Sequence, residues 1–110
     1  MAAQFEIKKS KNGQFYFNLK AGNGEVVLTS EQYTSKAGAK NGIASVQNNA
    51  DDASRYETKT AKNGKHYFVL KAGNHQVIGV SETYNTEGAC AKGIAAVKKA
   101  AGSAATSDET

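Results

Sequence analysis

Few side chains in this sequence are equipped for chemistry: two histidines, His66 and His75, one cysteine, Cys90, and the recurring acids Glu6 with Glu57 and Glu31 with Glu82. An imidazole can shuttle protons near neutral pH, and a thiolate can attack an electrophile. Facing carboxylates can cleave a glycosidic bond, and four His, Cys or acidic ligands can hold zinc. None of these sets is complete here. The acids are isolated along the chain, and one Cys with two His leaves a four-ligand zinc site without ligands. The expectation is therefore no catalytic residue, no metal and no cofactor. The Gly22-Asn23-Gly24 spacing lies between strand-like segments and opens no helix, so hairpin turns explain it better than a phosphate cradle does.

Composition narrows the setting. The 110 residues, 39% of them hydrophobic, suffice for one core, which at this size removes about 65% of the unfolded surface from water. No apolar run approaches the ~18 residues of a membrane span, and the Met1-Ala2-Ala3-Gln4 start lacks a basic segment followed by an apolar one. The expectation is a cytoplasmic protein without a membrane partner. Cys90 has no intramolecular disulfide partner. The net charge of +4 invites a nucleic-acid reading, yet Arg55 is the single arginine. Lysine lacks the planar fork that suits base and phosphate recognition.

The elements that must position these residues come in two copies. Shifting the sequence by 51 positions aligns residues 5–50 with 56–101 without a gap, and 21 of the 46 pairs are identical. Lys11-Asn12-Gly13 matches Lys62-Asn63-Gly64, and Gly42-Ile43-Ala44 matches Gly93-Ile94-Ala95. Asp51 to Arg55 link the copies, and 102–110 reads as a disordered tail of small and polar residues. Each copy reads as a β-β-β-α unit, and the pair as a single compact α+β domain.

Period and turn chemistry place the strands. A two-residue Asn12-Gly13 loop would set the apolar residues on opposite faces. A three-residue loop, Lys11-Asn12-Gly13 with Gly13 left-handed, instead pairs Phe5 with Leu19, Ile7 with Phe17 and Lys9 with Phe15. The second copy follows through Tyr56 with Leu70 and Thr58 with Phe68. Ala21-Gly22-Asn23 and Ala72-Gly73-Asn74 predict turns into third strands near Glu25–Ser30 and Gln76–Ser81, with the register of Val26-Val27-Leu28 open. Ala39, Gly42, Ile43 and Val46, and likewise Cys90, Gly93, Ile94 and Val97, then form the stripe of an amphipathic helix. Thr34 or Ser35, and Asn85 or Thr86, are the N-cap candidates. Glycine within a helix costs about 1 kcal/mol, so Gly42 and Gly93 on that stripe predict close helix-on-sheet contact. One unit alone buries too little to stand, so residues 1–53 are expected to be unfolded or dimeric.

Against this frame His66 becomes a sheet residue, His75 a loop residue and Cys90 a small core filler. The Ser30-Glu31-Gln32-Tyr33 and Ser81-Glu82-Thr83-Tyr84 pieces fall at strand-to-helix junctions. There the Ser and Glu are expected to satisfy backbone groups while the Tyr packs on the helix entry. The candidate ligand surface is the sheet face away from the core, to which Glu6, Lys8, Tyr16, Asn18 and Lys20 point from one copy and Glu57, Lys59, Tyr67, Val69 and Lys71 from the other, with Lys8, Tyr16, Lys20, Lys59, Tyr67 and Lys71 as the candidate ligand contacts. Tyr16 falls across from Lys8, and Tyr67 from Lys59. Interleaved aromatic and lysine side chains can stack bases and hold phosphates; cross-strand packing on a solvated face explains the same residues.

The order KNG, LKAGN, SExY, then a helix with GIxxV, present twice, resembles the YegP-like family of small bacterial proteins over nearly the whole chain. The resemblance implies tandem β-β-β-α repeats assembled about a pseudo-twofold into one antiparallel sheet with two helices packed on it. It leaves open a further strand from the C-terminal segment, although 103–110 is a poor strand sequence, and it implies no activity. Three functions follow for testing: a monomeric, non-catalytic binding or interaction protein of unidentified partner; a weak single-stranded nucleic-acid binder through the Lys/Tyr face; and, least favoured, an enzyme with a pocket at the repeat junction holding His66 or Glu31/Glu82.

Overall fold

The computed structural model describes residues 3–108 and 110. In the first repeat the strands are β1 (Gln4–Lys9), β2 (Phe15–Lys20) and β3 (Val26–Thr29), followed by helix α1 (Lys36–Asn49). A 3-10 turn, Ala53–Arg55, leads into β4 (Tyr56–Thr60), β5 (His66–Lys71), β6 (Val77–Val80) and helix α2 (Glu87–Ser103), followed by β7 (Ala105–Asp108). The sheet runs β4-β5-β6-β3-β2-β1-β7.

The hairpin registers follow the loop chemistry. Phe5 pairs with Leu19, Ile7 with Phe17 and Lys9 with Phe15, and Tyr56 with Leu70 and Thr58 with Phe68. Ser10 N donates to Gln14 O (2.8 Å), and Gly13 closes the loop at φ 83°. The β2–β3 turn repeats this geometry with Gly24 at φ 85°, and the β5–β6 turn puts His75 at the same place with φ 68°. A bulge settles the open register of the third strand. Leu19 pairs with Leu28 and Lys20 with Val26, leaving Val27 as the extra residue; Ile78 is its counterpart. Both extra residues join the core, so the unbroken Val26-Val27-Leu28 run reflects the bulge.

Thr29 pairs with Val80, its own equivalent under the 51-residue shift, so the pseudo-twofold axis passes through that pair. Both helices lie on one face and straddle the axis: α1 touches β1 and β2 but also β5 and β6, and α2 touches β5 but also β1, β2 and β3. One cluster therefore includes Phe5, Ile7, Phe17, Leu19, Leu28, Val46, Phe68, Leu70, Cys90 and Val97. The N-caps are Ser35, whose side chain accepts from Gly38 N, and Thr86, whose side chain accepts from Ala89 N.

Gly42 and Gly93 make the expected close contacts. A Cβ on Gly42 would lie 2.8 Å from Tyr33 Cζ and 2.9 Å from Phe17 Cε2; on Gly93 it would meet Tyr84 and Phe68 in the same way. At the axis the two halves differ in volume. Leu28 faces Gly79, where a Cβ would come within 2.7 Å of Leu28 Cγ.

Two expectations are corrected. The sheet is not wholly antiparallel, because β7 runs parallel to β1. Nor is 102–110 a loose tail among the described residues: Gly102 lies within α2, and Ala105–Asp108 forms β7. The cause is geometric. β7 leaves α2 as β4 leaves α1, but the symmetry-related lane is occupied by β1, so the strand takes the next one. There Lys36 Nζ grips Asp108 at 2.9 Å. That contact and the pairing with Gln4–Ile7 order a segment whose residues have little strand propensity.

Candidate ligand surface

The sheet face away from the helices carries one transverse row through every strand, in the order Glu57, Val69, Val80, Thr29, Asn18, Glu6, Ser107. Tyr16 stands across from Lys8 and Tyr67 across from Lys59, as the register required. Near the axis Asn18 and Val69 are 8% and 5% exposed although no helix covers them. Thr29 Oγ1 donates to Asn18 Oδ1 at 3.0 Å, and the symmetry-related pair is the apolar Val69 and Val80.

Charge on this face is organised around two carboxylates. Glu6 receives Lys20 at 3.1 Å and Lys8 at 3.6 Å. Glu57 receives Lys71 in a short ion pair and Lys59 at 3.7 Å. The hydrogen bond from Lys20, reinforced by the two lysine charges, holds the Glu6 carboxyl below its ordinary pKa against the effect of burial; Lys71 does the same for Glu57, with Lys59 adding to it. All four candidate lysines are thus engaged, two to a carboxylate, and each cluster keeps a net charge of one. The sequence places Glu6 and Glu57 on this face with the lysines, but the expectation paired the lysines with Tyr16 and Tyr67 and not with the carboxylates. The signal was available, because the hairpin registers place Glu6 and Glu57 one pleat from both lysines.

The Ser-Glu-x-Tyr pieces serve structure. Ser30 Oγ accepts from Phe17 N (2.9 Å) and donates to Glu31 O (2.7 Å), and Ser81 does the same with Phe68 N and Glu82 O. The glutamates contribute their main-chain carbonyls, whereas their side chains are exposed. Tyr33 exchanges two main-chain hydrogen bonds with Phe15 and stacks on Phe17 at 6.3 Å; Tyr84 does so with His66 and Phe68.

The remaining chemical candidates fall in three separate places. His75 lies exposed in its turn. A half-open groove of about 420 Å³ at the repeat junction holds Glu31 and Tyr33 against Gln76 and Ile78, but not His66. His66 instead lines a depression of about 310 Å³ with Thr58, Thr60, Glu87 and Cys90. Cys90 is 1% exposed, and burial, with a smaller contribution from Glu87, pushes its thiol pKa up. Among the described residues no group of three His, Cys, Asp or Glu is placed to hold a metal, and no helix is long and apolar enough to cross a membrane.

Two tandem units sharing a sheet beneath two straddling helices define a duplicated α+β protein of the class described as "Domain of unknown function (DUF1508)", whose profile matches residues 10–57 and 61–108. The chain belongs to this family, that of the UPF0339 proteins related to YegP. It is 61% identical over 95 residues to the UPF0339 protein YegP of Yersinia pestis, covering 86% of this chain and 85% of that one. It is 56% identical to its Escherichia coli K12 counterpart over 110 residues, the full length of both. The solution structure of E. coli yegP, described as a protein of unknown function, superposes with a TM-score of 0.94 at 55% identity, covering 100% of this chain and 95% of that one. Shewanella oneidensis UPF0339 protein SO3888 gives a TM-score of 0.90 at 51% identity over 98% and 92%. The matched units begin after β1 and β4 and end in β4 and β7, which makes β7 the counterpart of β4.

Proposed function

We propose that the protein is a non-catalytic interaction module, monomeric and cytoplasmic, whose uncovered sheet face docks a partner protein with an apolar centre and an acidic rim. The observation that carries this reading is the state of the four lysines. Lys8, Lys20, Lys59 and Lys71 are bound to Glu6 and Glu57, so the face offers Tyr16, Tyr67 and, at its centre, the half-buried Thr29 and Val80, with one residual positive charge at each flank. Aromatic anchors inside a polar border suit protein docking. Glu31 sits in the junction groove apart from His66, and the Cys90 thiol beside His66 is buried with its pKa raised, which supports a role without catalysis.

The test is site-specific photo-crosslinking in the native cell from positions 16 and 67, with exposed Lys40 on α1 as the control position. One species captured from both face positions, competed by excess purified protein and lost in a variant with Lys20→Glu and Lys71→Glu, which reverses the charge of both flanks, is the expected result. No capture, or equal capture from position 40, refutes it. Single-stranded nucleic acid remains the second reading, because Lys8 with Tyr16 and Lys59 with Tyr67 offer a cation beside a stacking ring. Anisotropy with a labelled oligonucleotide at low salt separates the two. Affinity that falls steeply with salt and collapses in Tyr16→Ala, Tyr67→Ala would replace protein docking with nucleic-acid binding.

A further inference from the structure

We propose that the open outer edge of β4 receives an extended peptide running parallel to it, with a lysine or arginine beside Thr58 that reaches Glu87. This surface is distinct from the sheet face, and the two proposals stand or fall separately.

β4 ends the sheet on one side. Ala61 N donates to Lys65 O across the hairpin, so by the alternation of an antiparallel ladder Lys59 and Glu57 turn their main-chain groups to β5. Thr58 and Thr60 turn theirs outward, as does the Tyr56 carbonyl, while the Tyr56 N–H donates to Ala53 O of the preceding 3-10 turn. Such an edge is a template for an added strand.

The molecule displays what an added strand does at the matching edge. There β7 lies parallel to β1 with Thr106 beside Phe5 and Asp108 beside Ile7. Asp108 is held by Lys36, the first residue of α1. Under the 51-residue shift Ile7 becomes Thr58 and Lys36 becomes Glu87, the first residue of α2. The charge at the clamp is reversed, so the strand that completes this edge needs a cation where β7 has Asp108.

The space beneath the edge suits that side chain. In passing from one repeat to the other, Ile7, Lys9, Phe15, Lys36 and Ala39 become Thr58, Thr60, His66, Glu87 and Cys90. All five replacements line the same cavity of about 310 Å³. Where Ile7 is fully buried, Thr58 is exposed. Glu87 forms no ion pair among the described residues, and Lys59 is engaged by Glu57 at 3.7 Å. The tail of a second copy fits poorly, because its Asp108 would set a carboxylate against Glu87. The occupant is a basic segment from another protein.

The test titrates the isotope-labelled full-length protein with a blocked peptide of residues 103–110 carrying Asp108→Lys, alongside the unsubstituted peptide, and follows amide shifts. The expected shifts are confined to Tyr56–Thr60 and the first turn of α2. The lysine peptide should bind about fivefold more tightly than the aspartate peptide. Glu87→Gln should abolish the preference and Glu87→Lys invert it, with the unliganded amide spectrum checking that each variant is folded. Equal binding of the two peptides, shifts at Gln4–Ile7 instead, or no shifts at millimolar peptide overturns the proposal. So does concentration-dependent dimerisation through β4, which would make a second copy the occupant.

Discussion

Replacing Gly42 by alanine sets two opposing effects against each other. In an unconstrained helix the change stabilises by about 1 kcal/mol. Here the new methyl group would lie 2.9 Å from Phe17 Cε2 and 2.8 Å from Tyr33 Cζ, with the Tyr33 hydroxyl nearer still. Phe17 is fully buried between Phe5 and Tyr33 and has nowhere to go. The Tyr33 main chain is pinned to Phe15 by hydrogen bonds of 2.6 and 2.7 Å, so its ring has to swing out. Losing the stacked pair costs ~0.5–1.5 kcal/mol, and overpacking adds ~1–3 kcal/mol. Less the helix gain, the net is a loss of about 2 kcal/mol, or roughly 8 °C in Tm for a domain of this size. The assay is urea and thermal unfolding, with Gly102→Ala as the propensity control, because a Cβ there meets nothing within 4 Å. Gly102→Ala should be neutral to stabilising. A raised Tm for Gly42→Ala, or an undiminished cost in a Tyr33→Ala background, would refute the reasoning.

Three other perturbations have calculable outcomes. His75 holds φ 68° where the first repeat has Gly24; a non-glycine residue pays ~1–2 kcal/mol there and glycine gives back part of that in the unfolded chain, so His75→Gly should raise stability by about 0.5–1 kcal/mol in urea unfolding. Gly79→Leu should destabilise strongly by colliding with Leu28, and adding Leu28→Gly should restore at least ~2 kcal/mol in equilibrium unfolding by moving the leucine across the axis. The Glu6 carboxyl is held below its ordinary 4.5; a depressed acid contributes stability above its unfolded pKa that is lost as pH falls through the folded value. Unfolding free energy should therefore decline below about pH 4.5, and Glu6→Gln should remove part of that slope.

Much of the fold was legible because short-range chemistry fixed long-range geometry. A three-residue loop ending in glycine determined the parity of each hairpin, and parity determined which face Phe5, Ile7 and Lys8 occupy. Repetition helped, since a stripe found at Ala39–Val46 and again at Cys90–Val97 is hard to misread. What could not be read depended on elements distant in sequence. The bulges at Val27 and Ile78 look like a strand buried on both faces. β7 has weak strand propensity, and it forms because β1 supplies an edge and Lys36 a counter-charge. On the ligand face the Lys–Tyr pairs were legible, whereas their neutralisation required reading Glu6 and Glu57 in two dimensions.

Where the two halves depart from each other, the departures are of two kinds. Near the axis they compensate. Leu28 fills the room left by Gly79, and a hydrogen-bonded Asn18–Thr29 pair on one side corresponds to an apolar Val69–Val80 pair on the other, so packing within the chain accounts for both. At β4 they do not. Thr58 and Thr60 replace Ile7 and Lys9, His66 replaces the Phe15 that lies beneath Lys9, and Glu87 replaces the lysine that holds β7. Together these changes exchange a filled, clamped edge for a polar depression beside unpaired backbone. Within the chain that exchange gives up apolar burial worth ~1.5–3 kcal/mol at Thr58 alone and gains no ion pair for Glu87 among the described residues. A cluster of losses at one edge, absent from the symmetry-related edge, is what a site for an external strand costs. For this reason the β4 edge, and not the repeat junction, is the place where the two halves differ in function.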